Sequence, residues 1–249
     1  MPIIHNNNLH YLEVFLNKYY ALINFAIVFL PAIIGVYSYR KYKNTHAKYF
    51  IWFCVYVAIV EIIGSYKVIF EKIESLNFIN TYFEGTLLEN ENWWYLIFWT
   101  LGGALFYAYY FWILLENNIS KKVIKFSAII FLIFFVINFY LRFNQISSSA
   151  QIPINIAQAI LILLAVILYF LEILKSNKIL SIFSSIHFYI GATILLWNLI
   201  MVPLTFYDIY FNRSDMEYSI LKALIYLGCN TFMYITFSFA LIWCKPQNN

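Results

Sequence analysis

The stretch YFIWFCVYVAIVEIIGSYKVIF, Tyr49 to Phe70, is apolar over almost all of its length, yet it sets a carboxylate, Glu61, among hydrocarbon side chains. A helix rises 1.5 Å per residue, so about 20 such residues cross the roughly 30 Å of a bilayer's hydrocarbon core. In that solvent every backbone N–H and C=O needs an internal partner, which a helix provides from its own chain. The stretch therefore reads as a transmembrane helix. Glu61 reads as an anomaly that needs a reason.

The same pattern recurs along the chain. Runs of similar length cover about Tyr20–Tyr39, Trp93–Leu115, Val123–Leu141, Ile152–Leu174, Ile186–Tyr207 and Ser219–Trp243. Over 249 residues the composition is 63% hydrophobic, 22% aromatic and only 11% charged, with a mean hydropathy of +0.73. Soluble domains carry about 25% charged residues, so a soluble fold is excluded. The runs are too continuous for the alternating pattern of a membrane barrel. The expected architecture is all-α: a polytopic membrane protein, residues 1–249 forming one transmembrane domain, a bundle of seven helices joined mostly by short connections.

Direction follows from charge. Ten of the 16 Lys and Arg residues fall on one side: Arg40, Lys41, Lys43, Lys48, Lys121, Lys122, Lys125, Lys175, Lys178 and Lys245. The other side collects most of the acids, among them Glu13, Glu71, Glu74, Glu84, Glu89, Glu91, Asp208, Asp215 and Glu217. Basic residues mark the cytoplasmic side, which places the N-terminus outside and the C-terminus inside. Trp93, Trp94 and Trp243 fit an interfacial aromatic belt. MPIIHNNNLHYLEVFLNKYY lacks the basic start, short apolar run and small-residue cleavage site of a signal peptide, so the first span is expected to direct insertion itself. The segment EKIESLNFINTYFEGTLLENEN, Glu71 to Asn92, is a solvated acidic connection or a short outer cap. The formal charge of +4 is scattered over loops and forms no nucleic-acid patch, so no direct nucleic-acid partner is expected. Cys54, Cys229 and Cys244 lie in or beside apolar runs, where a thiol acts as a small hydrophobe, and no structural disulfide is expected.

An ionisable group near mid-bilayer costs about 2.5 to 3.5 kcal/mol on insertion scales, so it normally faces the bundle interior and has a partner. Glu61 shares a helical face with Gly64 and Ser65, small residues that let a neighbour approach. With the direction above, Gln158, Asn198 and Asn230 lie at comparable depth, and Lys222 and Tyr226 lie on the Asn230 face of the last span. Glu61, Gln158, Asn198, Lys222, Tyr226 and Asn230 are therefore the candidate ligand-binding set. Their structural alternative is interhelical bonding, each bond worth about 0.6 kcal/mol. WTLGGALFYAYYFW, Trp99 to Trp112, offers a small-residue packing surface at Thr100, Gly103, Ala104 and Ala108, or the wall of an aromatic-lined cavity. His187 stands alone near one end of its span and reads as a capping or snorkelling residue.

Enzymatic chemistry finds little support. HExxH and glycine-rich phosphate loops are absent, Glu61 is the only acid well inside a span, and Lys222 sits too near the end of its helix for a retinal Schiff base. No cofactor or metal is expected.

CNTFMYITFSFALIWCKPQ, Cys229 to Gln247, and KYFIWFCVYVAIVEIIGSY, Lys48 to Tyr66, resemble segments of a loose family of uncharacterised seven-span bacterial inner-membrane proteins. The resemblance implies a seven-span fold and that localisation, and no activity comes with it. Gly102 and Gly103 stand where a second acid would be sought, so no shared acidic site is carried over. Two functional expectations result. The first is a non-enzymatic sensor or accessory protein with an outward-facing polar pocket around Glu61 that binds a small or lipidic ligand, a membrane partner or a second copy. One form of it is a membrane component of an antiviral defence system, like the multi-span proteins beside some RNA-targeting CRISPR effectors. The second is a small proton-coupled transporter or channel using Glu61, with a water-filled route past it.

Overall fold

The computed structural model describes residues 2–64, 96–142, 148–207 and 216–246, and all regular structure among them is helical. Its helices are α1 (Pro2–Tyr42), α2 (Ala47–Gly64), α3 (Gly102–Leu114), α4 (Asn118–Arg142), α5 (Ser148–Leu174), α6 (Ile186–Tyr207) and α7 (Met216–Trp243). A π-helical turn, Leu96–Leu101, leads into α3, and a 3₁₀ segment, Asn177–Ser184, joins α5 to α6. Seven stretches, one in each helix with α3 counted together with its π-helical turn, are long and apolar enough to cross a membrane, as befits a multi-pass membrane protein. Ser65, the Glu71–Asn92 connection, Trp93 and Trp94 lie outside the described residues.

Local chemistry explains where helix ends depart from the hydropathy pattern. α1 begins at Pro2, a residue suited to a first turn, and no further Pro or Gly interrupts the polar stretch before Tyr20. The helix therefore starts well ahead of the predicted span. α4 starts at Asn118 rather than Val123 because the Asn117 side-chain oxygen accepts the Ile119 N–H at 2.8 Å, an N-cap that hydropathy does not register. α6 has the predicted bounds, and α5 has the predicted C-terminal end.

Six helices close a ring in the spatial order α2, α1, α7, α6, α5, α3, and α4 packs outside it against α5 and α3. The ring is not uniform. The α2 and α3 backbones stand apart, and aromatic side chains bridge them. Phe53 stacks on Phe106 with ring centroids 3.8 Å apart and planes 2° from parallel, while Tyr49 meets Tyr109 and Phe53 meets Tyr107 edge to face. Such pairs are worth about 0.5 to 1.5 kcal/mol beyond burial. Outward faces are apolar: Ile130, Ile133, Tyr140 and Leu141 of α4 are exposed, as residues in contact with acyl chains would be.

One end of the bundle carries Arg40, Lys41, Lys121, Lys122, Lys125 and Lys175 and is here the basic end. There the end of α1 clasps the end of α7. Lys41 Nζ donates to the Ile242 carbonyl at 2.9 Å, and the Tyr42 hydroxyl donates to the Cys244 carbonyl at 2.8 Å. The last carbonyls of a helix have no intrahelical donor, and a cation there also opposes the helix dipole. Burial pushes the Cys244 thiol above its ordinary pKa, with the neighbouring Lys41 charge pulling the other way. Cys54, Cys229 and Cys244 are unpaired.

Gly102 is where a missing Cβ matters most. A Cβ there would lie 2.5 Å from the Tyr56 hydroxyl, which donates to the Phe98 carbonyl at 2.6 Å and ties α2 to the π-helical turn. Gly102→Ala should therefore destabilise the protein by about 1 to 3 kcal/mol, the range of core overpacking. Gly228→Ala, with nothing within 4 Å of the added carbon, should be neutral or gain up to about 1 kcal/mol of helix propensity. Thermal unfolding of both variants in detergent checks the contrast.

Candidate functional site

At mid-bundle the gap between α2 and α3 opens into a cavity of about 70 Å³. Five helices and the π-helical turn line it. α2 contributes Phe53, Cys54 and Val57, α5 contributes Gln158, α6 contributes Trp197 and Asn198, α7 contributes Met233 and Phe237, and Trp99, Gly103 and Tyr107 close the α3 side. The walls are mostly aromatic. Two side-chain amides, Gln158 and Asn198, are the polar groups that converge on them. Gln158 Nε2 lies over Gly103, 3.7 Å from where a Cβ would stand, an ordinary contact distance.

Several polar residues inside the helices satisfy their donors on their own backbone. Thr205, Thr231, Thr236 and Ser238 each donate to the carbonyl four residues back, at 2.6 to 2.9 Å. Asn198, only 2% exposed, does the same, its Nδ2 donating to the Ile194 carbonyl at 2.9 Å. That leaves the Asn198 oxygen, and the whole Gln158 amide, without a hydrogen-bond partner among the described residues. Asn198 is buried and Gln158 half-buried; an unpaired buried amide oxygen costs about 1 to 3 kcal/mol, so the Asn198 oxygen above all is poised to meet something else. The cavity has room for a few waters or for one polar group of a larger molecule.

The structure distributes the predicted site residues over three places. Gln158 and Asn198 line the cavity. Asn230 lies one step behind it: its oxygen accepts Trp197 Nε1–H at 3.0 Å, and its nitrogen approaches Asn24 Oδ1 at 3.4 Å, which links α6, α7 and α1. Lys222 and Tyr226 pair with each other nearer the start of α7, the ammonium 5.9 Å from the ring centroid, away from the cavity lining. Glu61 is half-buried one turn beyond Val57, on the α2 stripe that carries Phe50, Cys54 and Val57, and lies near Tyr20 of α1. The Asn198 and Asn230 faces both turn inward, yet Trp197, not Asn198, bonds to Asn230.

Asn24 and Trp197 escaped the sequence reading. Asn24 had a signal, an amide inside the apolar run ALINFAIVFL. Trp197 had none, because a span tryptophan reads as bulk.

Toward the basic end the cavity is closed by a packed layer. Phe50, Tyr110, Phe111, Ile190 and Phe237 are all 0 to 1% exposed, and Gly191 lets Phe111 and Phe170 approach α6. Within this layer the Tyr110 hydroxyl and His187 Nδ1 share a hydrogen bond at 2.7 Å. His187 is thus a buried, bonded side chain, and the capping or snorkelling role expected for it does not hold. Beyond the layer a vestibule of about 890 Å³ opens at the basic end, lined by His46, Glu116, Lys121, Glu172, Ser185 and His187 among others. Its wall is built by Glu172, whose two carboxylate oxygens accept the backbone N–H groups of Glu116 and Asn117 and so pin the α3–α4 connection to α5. Among the described residues no group of His, Cys, Asp or Glu side chains is placed to hold a metal ion.

Comparison of the chain with protein-family models, curated proteins and solved structures finds no match.

Tyr110→Phe should cost about 0.5 to 1.5 kcal/mol, the net worth of one hydrogen bond, because it removes the bond to His187 Nδ1. The double variant Tyr110→Phe/His187→Phe should recover part of that loss. A double-mutant cycle read by thermal unfolding tests the coupling.

Proposed function

We propose that this chain is a non-enzymatic seven-span membrane sensor or accessory protein whose mid-bundle pocket takes a polar group of a small or lipidic ligand between Gln158 and Asn198. The observation that carries the reading is the pair of unpartnered amide functions converging on an aromatic-walled cavity. Concave, mostly apolar sites with a few convergent polar groups are the usual form of a ligand pocket. The half-buried Tyr56, Trp99 and Trp197 line its outer part, and their rotation is the way a larger ligand gains entry.

The pocket belongs to the outer side of a bacterial inner membrane, with the N-terminus outside and the C-terminus cytoplasmic, a direction supported by the gathering of Lys and Arg at the basic end. The closed aromatic layer below the cavity supports reception of a ligand over a continuous route for ions. Signalling then passes by assembly with a membrane partner or a second copy, as in an accessory to a defence system.

Two measurements test this. Proteoliposomes with an internal pH dye should show the same background proton flux for wild type and Glu61→Gln. A flux that depends on Glu61 would reverse the proposal and select the proton-coupled transporter. In parallel, mass spectrometry of small molecules and lipids extracted from purified protein should find a species retained by wild type. It should be lost from Gln158→Leu/Asn198→Leu, two substitutions that remove the amides while keeping apolar volume.

A further inference from the structure

The outer face of the bundle carries a second concavity that the reading above leaves unused. It is a groove of about 510 Å³ between α3 and α4. Ala108 and Ala128 form its floor, Leu105 and Leu132 its end toward the bundle middle, and Trp112 and Lys125 its end toward the basic face. Among the described residues Lys125 is the only charged one that lines it. Lys122, exposed, stands in the same turn region of α4, and Lys121 Nζ sits 5.4 Å from the Trp112 ring centroid. The nearest acids on these elements, Glu116 of the α3–α4 connection and Glu172 of α5, line the vestibule instead.

Shape and charge together select the occupant. From Trp112 to Leu105 the groove follows α3 for about 10 Å at 1.5 Å per residue, two thirds of the roughly 15 Å of hydrocarbon in one leaflet. α3 and α4 are in direct contact, so the slot between them is narrower than a helix with its side chains, about 10 to 12 Å. An unbranched chain fits where a helix does not. At the other end an amphipathic tryptophan and a lysine stand at headgroup level, the lysine stem along the apolar wall and its ammonium toward water. Basic pockets between spans are where anionic headgroups bind. We propose that the α3–α4 groove is a binding site for an anionic phospholipid, one acyl chain lying over Ala108 and Ala128 and the phosphate paired with Lys125 and Lys122. The site rests on the membrane setting alone and is independent of the pocket around Gln158.

The test uses full-length protein in nanodiscs of phosphatidylcholine with a minor share of phosphatidylglycerol of the same acyl composition, and native mass spectrometry reads the lipids retained. Wild type should retain phosphatidylglycerol in preference to phosphatidylcholine. Lys125→Gln should lower that preference about fivefold, the worth of one basic residue near an anionic surface. Ala128→Leu, which fills the floor from the half-buried outer side of α4, should remove retention of either lipid without lowering the unfolding temperature. Lys43→Gln, at the basic end but off the groove, should leave retention as in wild type. Equal retention of the two lipids by wild type overturns the proposal, as does an equal loss from the Lys43 variant. So does an Ala128→Leu protein that keeps its lipid but turns from dimer to monomer, which would give the groove to a second copy.

Discussion

Within hydrocarbon a leucine gains nothing by leaving lipid for protein, so the bundle cannot be held by the force that closes a soluble core. What remains is close contact and paired dipoles. The contacts here are unusual for being aromatic: where the α2 and α3 backbones stand apart, Phe53 and Phe106 stack, and Tyr49 meets Tyr109, so rings rather than backbones close the ring of helices. Glycine appears where rings need room, at Gly102 beneath Tyr56 and at Gly191 beneath Phe111 and Phe170. The dipoles are few and placed at joints. Trp197, Asn230 and Asn24 link α6, α7 and α1, and Lys41 and Tyr42 cover the terminal carbonyls of α7.

The same scarcity of partners makes polar residues informative. Several hydroxyls within the helices turn back on their own carbonyls and so reveal nothing about neighbours. Asn198 does so with only half of its amide, and Gln158 does not do so at all. A cavity with these two groups in its wall differs physically from a packing void, because an empty apolar void has no dipole to offer a guest. Glu61 has a different setting. It lies at the end of the described α2, near Tyr20 and one turn outside the cavity, so it bears on the approach to the pocket more than on its floor.

Two compartments result, a small aromatic one at mid-depth and a broad polar one at the basic end, with Tyr110, Phe111 and His187 between them. Close-packed layers of this kind switch between discrete arrangements more readily than they deform. The Tyr110–His187 bond is a polar link through the layer. A ligand that repositions Tyr107 at the cavity would press on the turn of α3 that carries Tyr110, and the vestibule lies directly beyond.

How much of this the chain announced in advance depends on the length scale. Helix number and approximate extent follow from apolar run length, because lipid demands about 20 residues with their backbone satisfied internally. Capping went unread at Asn117, since one local side-chain bond moves a helix start without changing hydropathy. The candidate amides were legible as types and depths: Gln158 and Asn198 meet at the cavity, and Asn230 lies just behind it. Their partners were not. The Asn198 face marked the inward side of α6, but α2 and α3 are apolar almost all round, and successive residues differ by about 100° around the axis, so a face does not fix which single side chain meets a neighbour. Whether Asn198 or Trp197 reaches Asn230 is therefore a matter of helix rotation and tilt. Sequence by itself determined that this protein is a set of lipid-crossing helices with rare amides at mid-depth. Tertiary packing alone decided which of those amides are spent on holding helices together and which are left facing a cavity, because that division depends on the spacing between helices and not on any one of them.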